Sequence, residues 1–335
     1  MNTTSSLSRD LVKAAIKLET SDIHFYPSRQ ETNIYFRIHG KRTFHRAISH
    51  SQYQSLLTYY KFTSGMDIGE TRKPQNGAYH FRDNHHLFSL RLSTLPINHM
   101  ESLAIRILPQ TEKLTLHNLF LFPYQVNKLK KLISNQSGII LFTGPTGSGK
   151  TTALYALIET ILKENSYQTI TLEDPIEKDI HDILQVQINE KAGITYQTGL
   201  KAALRHDPDM IMIGEIRDKY TAQFAFEAAL TGHLVFSTLH AKNATGTIHR
   251  LLEMGIKQVD LLQSLIAVAS IQLLPIERGN LVTRRAAILE ILEGEVLEKA
   301  VKGGEIYDTY QFDTFEKIRK KAFAYGFITE EIYTT

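Results

Sequence analysis

Residues 144–151 read Gly144-Pro145-Thr146-Gly147-Ser148-Gly149-Lys150-Thr151, followed by Thr152. Glycines at this spacing let the backbone turn so that successive amide hydrogens converge on phosphate oxygens, and a helix opening behind them adds the positive end of its dipole. Lys150 can then reach the outer phosphates, and the Thr151 hydroxyl can serve magnesium. An apolar run at 138–143 precedes the loop, and a helix-like stretch runs from it through Leu162. Strand, loop and helix in that order mark a site for a nucleoside triphosphate, with residues 144–152 as its cradle.

Two further apolar runs end in acid. The segment Ile170-Thr171-Leu172-Glu173-Asp174-Pro175 places carboxylates where ligands sit in open α/β sheets, at the C-terminal tip of a strand. There Glu173 can polarise an attacking water, and Asp174 can help to fix magnesium or orient a neighbour. An acidic turn closed by Pro175 would give the same letters. The segment 207–218 ends Ile213-Gly214-Glu215-Ile216-Arg217-Asp218 and resembles an atypical Walker B strand, with Glu215 able to reach the magnesium shell, directly or through water, or the nucleophilic water. Arg217 suits a carboxylate partner, a neighbouring subunit's phosphates or an ordinary surface ion pair. A third buried run lies between His233 and His240. His240, at the exit of that strand, can hydrogen-bond a terminal phosphate, whereas His233 reads as a structural residue. His80, His85 and His86 cluster near a hairpin tip, but adjacent strand residues point to opposite faces and no metal-ligand spacing supports them.

The 335 residues suffice for two domains with separate cores, and 42% hydrophobic with 22% charged residues is ordinary globular composition. A net charge of +3 argues against a dedicated nucleic-acid binder, which needs a dense cationic face. The absence of cysteine removes disulfides and thiolate zinc sites, and is compatible with cytoplasmic residence. The first nine residues are polar, so no secretory signal opens the chain. The most apolar window, 261–274, is too short to span a bilayer and reads as a packed helix.

The positioning elements follow from periodicity. Residues up to 109 read as α+β: helices at 7–18 and 52–62, a strand at 33–38 entering a tight turn at His39-Gly40, a hairpin of 78–81 with 87–93, and a closing strand at 103–108. Residues 110–124 suit an interdomain linker with a short helix inside. From 125 on, strands near 138–143, 168–173, 183–188, 210–214 and 234–238 alternate with helices near 125–134, 150–164, 197–206, 219–230 and 244–253. That alternation predicts a parallel sheet covered on both faces. Beyond about 255 the expectation is a helical C-terminal part broken by a strand at 286–292.

Four motifs now stand in fixed order: the phosphate loop, Glu173-Asp174-Pro175-Ile176-Glu177, the Gly214–Asp218 stretch behind Leu204–Asp209, and 231–241. Together they resemble the secretion ATPase superfamily that powers type II secretion, type IV pili and competence pseudopili. Ser21-Asp22-Ile23-His24-Phe25-Tyr26-Pro27, Phe36–Gly40, Pro74–Gly77 and Leu90–Pro96 extend the resemblance across residues 20–275. It implies an α/β fold in which a smaller PAS-like α+β N-terminal domain joins a RecA-like P-loop ATPase domain, with ATP and Mg bound and the chain assembled as a homo-hexamer. It also implies that Arg91 and Arg106 supply cations to the phosphates, an effect worth roughly a thousandfold in rate.

The chain departs from the family pattern in being short, in lacking a tetracysteine insertion, and in reading Gln272-Leu273-Leu274 where an arginine is expected second. Its form is similar to the compact competence pseudopilus ATPases of Gram-positive bacteria. The implied partners are a polytopic inner-membrane platform protein and, indirectly, pilin-like subunits, with no direct nucleic-acid contact. The implied location is cytoplasmic, at the membrane only through those partners. A retraction ATPase of the same superfamily and a non-hydrolysing nucleotide-binding scaffold are the rival expectations.

Overall fold

In the computed structural model, which describes residues 3–28, 30–84, 86–98, 100–109, 115–278, 281–306 and 312–334, the alternation along 33–38 is one strand of an antiparallel sheet. The chain divides into two units, Met1–Glu112 and Lys113–Thr335. The first contains α1 (Thr3–Lys17), β1 (Thr20–Pro27), β2 (Glu31–Ile38), β3 (Lys41–Ser49), α2 (His50–Thr63), β4 (Gln75–Asp83), β5 (His86–Ile97) and β6 (Met100–Pro109). Its six-stranded sheet has the order β3-β2-β1-β6-β5-β4. His39 at φ 47° and Gly40 at φ 83° make the tight β2–β3 turn, the positive φ pair that matches the twist of a two-residue hairpin. Residues 110–114 of the expected linker and His85 lie outside the described residues.

One face of this sheet is apolar because alternate strand residues point the same way: Ile23, Phe25, Ile34, Leu90 and Ile105 meet Leu11 and Val12 of α1 and Leu56 and Tyr60 of α2. Ser49 starts α2 with a capping box, accepting from the Gln52 amide while the Gln52 side chain accepts from its own. Two strands of this unit were not expected from periodicity. β3 is an edge strand whose first half, Lys41-Arg42-Thr43-Phe44, is exposed, so it carries no inward alternation to detect.

The second unit begins with α3 (Leu116–Leu119), α4 (Pro123–Leu132), β7 (Gly138–Thr143), α5 (Lys150–Glu164), β8 (Thr169–Glu173) and β9 (Leu184–Gln187). It continues with α6 (Tyr196–Ala203), β10 (Met210–Ile213), α7 (Lys219–Leu230), β11 (Leu234–Leu239), α8 (Ala244–Glu253) and α9 (Gln258–Ser264). It closes with β12 (Leu265–Arg278), β13 (Leu281–Glu293), α10 (Gly294–Val301), α11 (Phe315–Ala324) and α12 (Glu330–Thr334). The seven-stranded sheet runs β13-β12-β7-β11-β10-β8-β9. All neighbours are parallel except the β12–β13 pair. Two apolar layers sandwich it: Ile139 and Leu141 of β7 face α7 and α8, while Ile140 and Phe142 face α4 and α5. The parallel sheet covered on both faces and its element spacing therefore match the expectation, to within a few residues at each end.

The helical C-terminal part expected from about 255 is corrected. The window 261–274 is helix only to Ser264, and residues 265–278 form β12, paired with β7 on one side and β13 on the other. A strand buried on both faces shows a continuous apolar run rather than alternation, so its period does not distinguish it from a packed helix. No helix among the described residues is long and apolar enough to cross a membrane.

A buried ion pair crosses the first unit. Lys61 Nζ donates to Glu101 Oε2 at 2.6 Å and to the Glu70 carbonyl at 2.8 Å, while the Tyr53 hydroxyl donates to the Glu101 carbonyl at 2.6 Å. Removing one partner leaves an uncompensated buried charge. Lys61→Met is expected to destabilise this unit by about 3–5 kcal/mol, and Lys61→Met with Glu101→Met to recover most of the loss, read by denaturant unfolding of the full chain.

Candidate active site

The sheet order sets the geometry. β11 lies between β7 and β10, and β8 lies beyond β10, so the tips of these four strands open along one edge. The phosphate loop leaves the tip of β7, Glu173 ends β8, Glu215 follows β10 by two residues, and His240 follows β11 by one.

The loop is formed around its own lysine. Buried Lys150, the first residue of α5, donates from Nζ to the carbonyls of Gly144 and Pro145, both at 2.9 Å. Gly149 caps the helix at φ 91° without a side-chain cap, which leaves the first amides of α5 to other acceptors. Gly144 sits at φ 143°, and a Cβ there would lie 2.7 Å from both the Ile271 carbonyl and Ser148 Oγ, so only glycine fits. Ser148 Oγ is itself buried and has no hydrogen-bond partner among the described residues. An orphaned donor, a glycine-only turn and a helix start with spare amides fit a phosphate group. Burial lowers the pKa of Lys150, and the Glu215 carboxylate opposes that shift.

Glu173 is 3% exposed and closely held. Thr171 Oγ1 donates to Oε1 at 2.6 Å, Gln185 Nε2 donates to Oε1 at 3.0 Å, and the Tyr155 hydroxyl donates to Oε2. Burial and the Glu173 charge push the Tyr155 hydroxyl well above the ordinary phenol range, so it stays a donor. The carboxylate retains acceptor capacity beyond these three donors, because its two oxygens offer about four lone-pair sites. Thr171, Gln185 and Tyr155 were not among the expected site residues. Thr171 was visible in principle, being two residues from Glu173 and hence on the same strand face; Gln185 depends on the β8–β9 register, where it pairs with Thr171.

Glu215 joins a different set. Arg217 bridges it to Asp174, contacting Glu215 Oε1 and lying 3.2 Å from Asp174 Oδ2. His240 Nε2 is 3.4 Å from Glu215 Oε2. Glu215 raises the pKa of Arg217, keeping the guanidinium charged. The loop carrying Glu215 is pinned to β11 by Thr238 Oγ1 donating to the Gly214 carbonyl at 2.7 Å and by the Ile216 amide donating to the Thr238 carbonyl at 2.8 Å. Asp174, Glu215, Arg217 and His240 thus converge, while His233 stands at the start of β11, its Nδ1 3.0 Å from the Ala228 carbonyl.

Of the expected residues on the first unit, Arg91 and Arg106 are direct register partners on β5 and β6. Arg106 Nε donates to Asp22 Oδ1 at 2.8 Å, with Asp22 the partner of Arg106 in the β1–β6 register.

Residues 2–304 match the family described as type II/IV secretion system protein. The chain is similar to competence protein ComGA of Bacillus subtilis strain 168, 41% identical over 347 residues that cover 99% of this chain and 98% of that protein. It is 42% identical over 255 residues to the type II secretion system ATPase E of Vibrio cholerae, covering 76% of this chain and 50% of that one. Among solved structures, the pilus retraction motor PilT with bound ADP superposes with a TM-score of 0.78 at 29% identity, covering 97% of this chain and 95% of that one.

Gly144→Ala is expected to weaken binding of a fluorescent ATP analogue by at least about tenfold, because its Cβ collides with backbone at a φ that alanine avoids. Tyr155→Phe is expected to lower stability by about 1–3 kcal/mol while leaving that binding intact, since it removes a donor from buried Glu173 and not from the loop.

Proposed function

This chain belongs to the type II/IV secretion system protein family, and we propose that it is the ATP-hydrolysing motor that drives assembly of a competence pseudopilus or a related pilus-like fibre. The observation that carries this reading is the pairing of a complete phosphate loop with a near full-length match to competence protein ComGA. The retraction reading has its own support in the near full-length likeness to a pilus retraction motor.

In this reading the amides of Gly144 and residues 146–149, in the turn shaped by Pro145, hold the triphosphate of ATP together with Lys150, Thr151 and Thr152. Thr151 and Glu215 would hold magnesium, Glu215 directly or through water, where the ion would neutralise charge on the phosphates. Glu173 takes a proton from the attacking water; its remaining lone pair is the acceptor, and its three protein donors hold the carboxylate in place. Arg217 turns from Glu215 toward the terminal phosphate as it arrives, because a multiply charged oxyanion outcompetes a single carboxylate for a cation, and His240 hydrogen-bonds that phosphate from the exit of β11. Arg91 and Arg106 are the further cations that this reading assigns to the transferring phosphoryl group.

The working form is a homo-hexamer at the cytoplasmic face of the membrane. Loss of the terminal phosphate releases the groups gathered around it, and that relaxation moves a polytopic platform protein and, through it, pilin-like subunits. DNA is handled by the assembled machine and not by this chain.

Phosphate release by purified protein with Mg-ATP tests the motor. Lys150→Ala is expected to lose nucleotide binding, and Glu173→Gln to retain binding while turnover falls by roughly a hundredfold or more. Turnover in the wild type equal to that of these variants removes the motor reading. Deletion in the source cell separates the two directions: an assembly motor leaves no surface filaments and no DNA uptake, a retraction motor leaves excess filaments.

A further inference from the structure

Glu290 lies three residues before the end of β13, is 3% exposed, and belongs to none of the motifs above. Its two oxygens accept from the starts of two different helices. Oε1 takes the amide of Ala244, the first residue of α8, at 3.0 Å, and Oε2 takes the amide of Phe315, the first residue of α11, at 3.3 Å. A carboxylate is the acceptor that two helix N-termini favour, since each presents unsatisfied amides and the positive end of a dipole. Burial raises the pKa of Glu290, and the two amide bonds oppose that shift.

The register places this carboxylate level with the phosphate loop. Glu290 pairs with Ser270 of β12, and Ser270 pairs with Thr143, the last residue of β7 before Gly144. Partners in register share a face, so Thr143, Ser270 and Glu290 form a polar row across an otherwise apolar layer. Thr143 Oγ1 and Ser270 Oγ are buried without a hydrogen-bond partner among the described residues. Leu239 pairs with Thr143 on the other side, and His240 is its neighbour in the chain. Between His240 and α8 the chain has only Ala241, Lys242 and Asn243, and Asn243 Oδ1 caps the helix by accepting the Gly246 amide at 2.9 Å.

We propose that Glu290 is a positioning residue for His240: by gripping the first amide of α8 it fixes the short loop that holds His240 against Glu215, and by gripping α11 it ties that loop to the C-terminal helices. The inference rests on the assignment of His240 to the terminal phosphate. α8 cannot shift along its axis without breaking a bond to a buried carboxylate, so the His240 loop has one favoured position. Movement of α11 reaches the nucleotide site through the same two oxygens.

Two substitutions and a double-mutant cycle test this. Glu290→Gln keeps the volume but leaves a single oxygen acceptor for the two helix amides and turns an NH2 toward the other. Ala244→Pro removes the donated hydrogen and adds two ring carbons at a buried position; proline is tolerated at the first position of a helix, and Asn243 at φ −155° and ψ 179° already has the extended backbone that precedes proline. Each is expected to lower kcat for Mg-ATP by about tenfold with KM changed less than about threefold, in protein whose circular dichroism and melting show it folded. With His240→Ala as background, neither is expected to lower kcat further, because effects through one residue do not add. Unchanged kcat in both folded variants, or losses that multiply with His240→Ala, overturn the proposal. Full turnover in His240→Ala alone removes instead the role assigned to His240.

Discussion

Parallel hydrogen bonding of β7 with β11, β11 with β10 and β10 with β8 holds four strand tips along one edge of the sheet, and the candidate site hangs from those tips. Thr143 leads into the phosphate loop, Glu173 ends β8, Glu215 follows Ile213 and Gly214, and His240 follows Leu239. Residues nearly a hundred positions apart in the chain become neighbours because each parallel strand must return through a helix to the same starting edge. Side chains reinforce the ladder where it ends: Ser237 Oγ donates to the Ile213 carbonyl at 2.8 Å, one residue before Thr238 pins Gly214. Glu173 is therefore carried by a strand end, and Glu215 by a short loop pinned to the neighbouring strand.

The charges around these tips are balanced by one another. Lys150 is held by two carbonyls of its own loop, Arg217 by Glu215 and Asp174, and His240 approaches Glu215. Glu173 differs in kind: its three donors come from three elements, α5, β8 and β9, so it is held from several sides at once.

Much of the second unit was legible because its strands are short, apolar and punctuated. The run at 138–143 starts at one glycine and is followed by another, the run at 210–213 lies between Asp209 and Gly214, and the run at 234–239 lies between His233 and His240, so length and boundaries marked them as strands. β12 was not legible: Leu265–Leu274, broken only by Ser270 and Gln272, packs against neighbours on both faces, and so apolar a run does not separate a buried strand from a buried helix. β3 was missed for the opposite reason, since an exposed edge strand has no inward face to impose alternation. Tyr155, Gln185 and Glu290 escaped notice because they lie outside every motif, and their importance depends on what packs against them.

The order of residues by itself determined that a phosphate loop exists, that acids stand at two strand ends, and that a histidine closes a third, because each is a local pattern whose chemistry follows from spacing along the chain. Only the tertiary structure decided which acid is enclosed and which is paired with cations, that β12 and β13 extend the sheet, and that a glutamate far from any motif joins two helix starts. Those are matters of register and burial, which arise when strands distant in the chain come to lie side by side and the water around their side chains is removed.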